Sequence, residues 1–321
     1  MANRRVEEQI EQLGRFQEPE PAALQAVRKA LQNRVNLVTA KAAKVTTELQ
    51  LRELLPDLLA AFDRLFENPA ERDPQCWGKN AVAKALVDLD FRESAPYLRG
   101  ARHIQMEPVW GGQQDTAQTL RGTCLLALPA CHDIERDDVL RALVDALTEP
   151  DAPVRADAVA ALGQMEGTEA ALVLRLKARV GDEDPQVTGQ ALEALLRIER
   201  DAAIPFAAAF LNAGNEVAEE AALALGSSRL PQALDVLKDA WQHTRSAQFR
   251  ETLLRGISAI RQPEAMEFLL GLVRSGRMQD ARAALEALAI HKASSEIVKQ
   301  VKEMVGAGRT DLQAEFARLF A

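Results

Sequence analysis

Aromatic residues and β-branched runs are scarce in this sequence. Only 10 Phe, 3 Trp and 1 Tyr occur among 321 residues, and few segments alternate Val, Ile, Thr or aromatic residues with polar ones, as β-strands do. The chain instead contains 56 Ala and 43 Leu, two residue types that strongly favour helices. This composition excludes a sheet-based fold and predicts an all-α protein.

Long hydrophobic segments and paired cysteines are also missing. The most apolar stretch, Ile204 to Leu211, has eight residues and contains Pro205, whereas a membrane-spanning helix needs about 20. The first ten residues are charged and lead into no apolar region, which argues against a signal peptide. The three cysteines are an odd number and do not indicate a disulfide framework. We therefore expect a cytoplasmic protein with reduced thiols that does not enter a membrane.

Positive charge is not in excess. The chain has 39 Lys and Arg against 47 Asp and Glu, a net charge of -8. Proteins that hold nucleic acid neutralise its phosphates with Lys and Arg, so this balance disfavours nucleic acid as the partner. It also disfavours an anionic membrane surface.

One pattern recurs from about residue 34 onward. In its clearest copy, Val154, Ala158 and Leu162 lie at i, i+4 and i+8 and form one stripe along a helix. A second amphipathic segment follows each stripe after a short turn. A breaker precedes each stripe helix, and the Asp, Asn and Pro residues found there are typical of helix starts. The last stripe position recurs at residues 49, 86, 128, 162, 195, 225, 257 and 288.

Neither helix of such a pair can bury its apolar stripe alone, so neighbouring pairs must stack. This predicts an α-solenoid of about eight helix pairs. We expect the array to cover residues 34–305, with an N-terminal helical cap at 1–33 and a C-terminal capping helix at 306–321.

The type of solenoid follows from the residues in the repeat. A single Tyr excludes a tetratricopeptide array, and the Thr-Pro-Leu-His of ankyrin repeats is absent. The clearest copy reads Asp151-x-x-Val154-Arg155-x-x-Ala158-x-x-Ala161-Leu162-Gly163. This pattern resembles the HEAT-like repeat family, particularly the short form found in phycobilisome-lyase-type proteins. Residues 73–86 and 107–112 are similar to stretches of uncharacterised bacterial HEAT-like proteins. The family includes scaffolds, lyases, hydroxylases and DNA-repair enzymes, so the resemblance implies a fold and not one activity.

The repeat spacing is longest between Leu86 and Leu128, and its surplus falls at residues 103–115. Insertions in repeat proteins map to loops, so we expect an insert loop here. Two interpretations of this loop remain open: a binding rim, or a plug in which a Trp wedges adjacent repeats. Its candidate site residues are His103, Glu107, Trp110 and Asp115.

The resemblance implies that the second helix of each pair lines a concave face. Polar side chains recur at two positions of these helices and would form a concave ridge. We expect the ridge to hold an extended or acidic segment of a protein partner. Its members are Arg141, Arg175, Arg179, Asn212, Lys238, Gln242 and Arg274.

No catalytic constellation is visible in the sequence. It contains no nucleophile–base pair and no glycine-rich phosphate loop, and none of its four His is followed by Glu, as in HEAT-repeat hydroxylases. Cys124 lies on the buried stripe, and its spacing to Cys131 matches no zinc site. We expect no metal, no cofactor and no catalytic residue.

The sequence therefore favours a noncatalytic protein–protein interaction scaffold. The alternative is an enzyme of the HEAT-like lyase or DNA-repair type, with its site near the 103–115 insert.

Overall fold

The computed structural model describes residues 2–321, which are almost entirely helical. The chain divides into two compact units, Met1–Met165 and Glu166–Ala321, here called the first and second unit. No helix in residues 2–321 is long and apolar enough to cross a bilayer.

The first unit contains ten helices and one hairpin, besides short 3-10 turns. Its elements are α1 (Ala2–Gly14), α2 (Pro21–Leu31), α3 (Asn36–Glu48), α4 (Leu55–Leu65), α5 (Pro69–Arg72), α6 (Trp77–Asp88), α7 (Ser94–Ala101), β1 (Met106–Val109), β2 (Gly112–Asp115), α8 (Gln118–Ala127), α9 (Arg136–Ala146) and α10 (Ala152–Met165).

The second unit is built from helices alone. They are α11 (Gly167–Val180), α12 (Pro185–Glu199), α13 (Ile204–Ala208), α14 (Glu216–Ser227), α15 (Pro231–His243), α16 (Ala247–Ile260), α17 (Pro263–Ser275), α18 (Met278–Leu288), α19 (Ser295–Gly308) and α20 (Gln313–Phe320). A 3-10 turn, Ala209–Asn212, extends α13.

The stripe predicted from the repeat forms the core of both units. Val154, Ala158 and Leu162 are buried, and so are Ala191 and Leu195 in the next repeat. In the second unit α12 packs on α14, α14 on α16 and α16 on α18, so the first helices of successive pairs stack side by side. The prediction of an all-α solenoid of stacked helix pairs is confirmed.

Glycines next to the last stripe position let these helices approach closely. A Cβ atom added to Gly226 of α14 would lie 2.2 Å from the carbonyl oxygen of Gly256 in α16. The two backbones are therefore in direct contact, which explains why the interior holds so much Ala and so few aromatic side chains.

The insert forms a β-hairpin and not a simple loop. β1 pairs antiparallel with β2, from Met106 opposite Asp115 to Val109 opposite Gly112. Trp110 and Gly111 form the turn, where Gly111 adopts a φ of +92° that a residue without a Cβ reaches at little cost. The sequence did not indicate these strands because each has four residues and β1 contains Pro108.

The predicted caps and array limits correspond only loosely to helix ends. Residues 1–33 comprise α1 and α2, whereas α19 continues to Gly308, past the expected end of the array. The assignment of both segments as caps stays a prediction.

Candidate functional site

Asp115 anchors the base of the hairpin in the first unit. Its carboxylate accepts hydrogen bonds from the backbone N–H of Gln105 at 2.9 Å and of Ala117 at 3.0 Å. It also accepts one from Arg121 Nη1 at 2.5 Å. Burial opposes the ionisation of Asp115, but these three donors outweigh it and hold its pKa below the usual range.

Arg121 ties this hairpin to the helices beside it. The guanidinium is almost fully buried, and it donates to His103 O at 3.0 Å and to Asp151 Oδ2 at 2.9 Å. One buried cation therefore links the start of the insert, the end of β2 and the residue before α10.

The carboxylate of Glu107, like that of Asp115, accepts three hydrogen bonds from its own chain. Its Oε1 accepts hydrogen bonds from Gln75 N at 2.6 Å, Gln105 Nε2 at 2.5 Å and Thr116 Oγ1 at 2.8 Å. Burial would raise the pKa of Glu107, yet these donors lower it. The carboxylate is thus ionised and committed to holding the insert against the turn that precedes α6.

His103 is half-buried in the first unit. Its ring lies edge-on to Phe66 at 4.8 Å between centroids, and its Nε2 is 3.1 Å from Gln105 Oε1. Burial lowers the pKa of His103, which favours the neutral ring. His103, Glu107 and Asp115 therefore brace the hairpin from within.

Trp110 differs from the other three candidates, because its side chain is 104% exposed at the tip of the hairpin. It does not wedge between repeats. Other exposed apolar side chains lie on the insert and at the start of α6, and we call the set the hairpin patch: Trp77, Ile104, Met106, Val109 and Trp110.

Two of the three cysteines, Cys76 and Cys124, lie in the buried interior of the first unit. Cys124 is fully buried, and burial raises its pKa, so the thiol stays protonated. Residues 2–321 contain no group of three His, Cys, Asp or Glu side chains placed to hold a metal ion.

The predicted ridge residues are distributed over both units. Arg141 lies on α9 of the first unit, exposed and paired with Asp138 at 2.5 Å one turn away. The other six lie in the second unit, where Asn212 and Gln242 are exposed.

Arg175 and Arg179 share one aromatic partner in the second unit. Their guanidinium groups lie 4.7 and 5.2 Å from the centroid of the Phe206 ring on α13. Arg175 also forms an ion pair with Glu199, which neutralises its charge, whereas Arg179 remains exposed. Lys238 makes the corresponding contact with Phe268 on α17 at 5.1 Å. These rings are not predictable as site residues from the sequence, because a Phe on an amphipathic helix is typical of the core.

The surface of α11 carries an exposed apolar stripe beside Arg179. Leu172, Leu176 and Val180 are 59, 64 and 76% exposed and lie at i, i+4 and i+8. A helix that buries one face in its own unit normally places polar residues at such positions.

Two grooves open between helices of the second unit. Asn212 lines a groove of about 1180 Å³ bounded by α13 with its 3-10 turn, α15 and the starts of α14 and α16. The carboxylates on its walls make this the acidic groove: Glu216, Glu219, Asp235 and Asp239.

Arg274 lines the other groove, of about 780 Å³, between α17 and α19. Its floor is apolar, and Arg261 and Arg274 stand on its rim with Glu267. We call it the arginine-rimmed groove; its apolar members are Met266, Leu270, Ile297 and Met304. The surroundings of the predicted ridge residues in the second unit therefore differ in charge, acidic around Asn212 and basic around Arg274.

Comparison with known proteins agrees with this architecture. Residues 172–257 and 215–289 match the model of HEAT repeats. No curated protein matches the chain.

Among solved structures, human deoxyhypusine hydroxylase in complex with glycerol is 22% identical, with 75% of this chain and 85% of that chain covered and a TM-score of 0.31. An engineered protein is 16% identical, with coverage of 94 and 88% and a TM-score of 0.38. The complex of CpcE and CpcF of phycocyanin lyase from Nostoc sp. PCC7120 is 18% identical, with coverage of 78 and 94% and a TM-score of 0.40. The family match confirms the resemblance predicted from the repeat: residues 172–289 of this chain are similar to HEAT repeats.

Proposed function

We propose that this protein is a noncatalytic protein-interaction scaffold. The observation that carries the proposal is Trp110, fully exposed on a hairpin that Glu107, Asp115 and Arg121 hold in place. Trp residues dominate the binding energy of many interfaces, where truncation of one costs about 2 kcal/mol or more. A braced hairpin lowers the entropic cost of ordering such an anchor on binding.

The second unit supports the same proposal. The exposed stripe on α11 offers apolar contacts to a partner, and Arg179 beside it offers a cation. The arginine-rimmed groove combines an apolar floor with two cations. An amphipathic helix or extended segment with acidic residues fits this chemistry.

Mixed charge favours a protein partner over nucleic acid. A nucleic-acid groove needs a continuous line of cations to meet the phosphates, whereas the acidic groove presents four carboxylates next to the predicted ridge residue Asn212. We infer that the ridge binds a peptide segment of mixed composition.

The enzyme alternative near the insert has less support. Glu107 and Asp115 each accept three hydrogen bonds from their own chain, and lowered pKa values make both poor proton donors near neutral pH. A general acid or base needs a free position toward a substrate.

We place the scaffold in the cytoplasm, because all three cysteines are unpaired and unpaired thiols are typical of reducing compartments.

Affinity capture tests the proposal. The immobilised protein is compared with Trp110→Ala and, as a matched control, with Ile290→Ala, whose side chain is 54% exposed in the second unit. We expect the wild type and the control to retain a common partner protein. We expect Trp110→Ala to retain at least tenfold less of that partner. Equal recovery of the partner by all three proteins would show that Trp110 is not part of the binding surface.

A second substitution tests the ridge. Arg179→Glu reverses the exposed charge beside the α11 stripe without breaking an ion pair, unlike a change at Arg175, which would leave Glu199 facing another carboxylate. Loss of an acidic partner segment with Arg179→Glu is the expected result, whereas unchanged capture would show that Arg179 is not part of the binding surface.

A further inference from the structure

A basic pocket in the first unit has no role in the surfaces described above. It has a volume of about 500 Å³ and lies where the turn after α2 meets the ends of α4 and α5. Three arginines line it together with two amides and one apolar side chain, in full Gln32, Asn33, Arg34, Arg64, Leu65 and Arg72. No carboxylate belongs to this lining.

The positive charge of the pocket is only partly compensated. Arg72 Nη1 pairs with Glu67 Oε2 at 2.6 Å on the exposed side. Arg34 is exposed and forms no hydrogen bond or ion pair within residues 2–321. The three arginines and the carboxylate of Glu67 together carry a net charge of +2.

Arg64 is fixed in position by the backbone. Its Nη2 donates to Leu31 O at 2.5 Å and lies 3.4 Å from Asn33 O, at the end of α2. Burial lowers the pKa of Arg64, and the neighbouring Arg72 lowers it further than Glu67 raises it. Capping of α2 accounts for Arg64 alone, since Arg34 and Arg72 bind no carbonyl and still line the same pocket.

We propose that this pocket binds a doubly charged oxyanion, either inorganic phosphate or the phosphate group of a small phosphomonoester. Planar guanidinium groups match phosphate oxygens with pairs of parallel hydrogen bonds. The exposed amide of Gln32 supplies a neutral donor beside them. The pocket lies in the size range of small-molecule sites, about 300–1,000 Å³, so it has room for an organic group attached to the phosphate.

The test is calorimetric titration of the full chain at constant ionic strength with inorganic phosphate and with glycerol 3-phosphate. The variant Arg34→Gln with Arg72→Gln removes the two cations that do not support the backbone. The matched control, Arg52→Gln with Arg102→Gln, removes two exposed cations outside the pocket lining. Thermal unfolding of all three proteins verifies that each is folded.

Saturable binding by the wild type and the control, weakened at least tenfold in the pocket variant, is the expected result. Tighter binding of glycerol 3-phosphate than of phosphate would identify a phosphorylated molecule as the occupant, and the reverse order would identify the free anion. Absence of saturable binding of both probes to the wild type overturns the proposal. Equal weakening in the pocket variant and the control also overturns it, because that result reflects net charge alone.

Discussion

Asp73 is a fully buried carboxylate with a complete set of partners. It accepts hydrogen bonds from the backbone N–H of Gly78 at 2.7 Å and of Lys79 at 2.9 Å, and from Asn36 Nδ2 at 2.9 Å. Lys79 Nζ, also fully buried, lies 3.0 Å from Asp73 Oδ2, the oxygen that accepts from the backbone of Lys79. The residue thereby fixes the turn before α6, where Gln75 and Cys76 adopt left-handed φ values of +59° and +54°.

Asp73→Ala should destabilise the protein by about 3–5 kcal/mol, because it leaves the ammonium of Lys79 buried without a counter-charge. Urea unfolding at neutral pH measures this change. Asp63→Ala is the control: it removes an exposed pair with Arg99 at 2.7 Å, worth about 1 kcal/mol or less. Similar losses in both variants would contradict the assigned role of Asp73.

The carboxylate of Asp115 makes hairpin stability depend on pH. Its pKa is lowered in the folded chain by hydrogen bonds from Gln105, Ala117 and Arg121, which outweigh burial. Its contribution is therefore complete above the unfolded pKa, about 3.9, and is lost as pH falls through the lower folded value.

Asp115→Asn should be less stable than the wild type at pH 6, and the gap should narrow as pH falls below about 4. Urea midpoints at pH 6, 4 and 3.5 measure the gap. A gap that stays constant over this range would show that ionised Asp115 does not stabilise the insert.

At the scale of elements, the helices were predictable and the hairpin was not. Apolar residues at i, i+4 and i+8 specify a buried stripe by local periodicity, so Val154, Ala158 and Leu162 could be placed from sequence alone. The hairpin depends on tertiary partners: Arg121 comes from α8, and Glu107 binds the turn before α6. Four-residue strands without alternation carry no comparable signal.

In the candidate site, too, the sequence predicted local features and did not predict tertiary contacts. Trp110 could be singled out because an aromatic residue in an insert is unusual, but its exposure depends on how the insert folds. The contact of Arg175 and Arg179 with Phe206 depends on the packing of α11 beside α13. Residue spacing predicts a helix face and does not predict which neighbour covers it.

Helix stacking in the second unit leads to a paired prediction. Gly226→Ala places a Cβ 2.2 Å from Gly256 O of the adjacent helix, so the helices must separate and the unit should lose about 1–3 kcal/mol. Gly271→Ala lies in α17, where an added Cβ meets nothing within 4 Å, and should be neutral or stabilising by up to about 1 kcal/mol. Thermal and urea unfolding distinguish the two, and a Gly226→Ala variant as stable as the wild type would contradict the close approach of α14 and α16.

At the scale of the whole molecule, length and composition follow from the repeated helix pair. Each pair buries Ala and Leu against its neighbours, and each unit leaves a distinct surface uncovered: the hairpin patch in the first, the α11 stripe and the two grooves in the second. We propose that interaction with another protein is the use that these surfaces share.

Site-specific photo-crosslinking in cells tests that claim most directly. A photoreactive phenylalanine analogue replaces Trp110 in one form of the protein and Ile290 in another, both exposed positions. We expect a defined covalent adduct with one partner protein from position 110 and none from position 290. No adduct from position 110, or the same adducts from both positions, would contradict it.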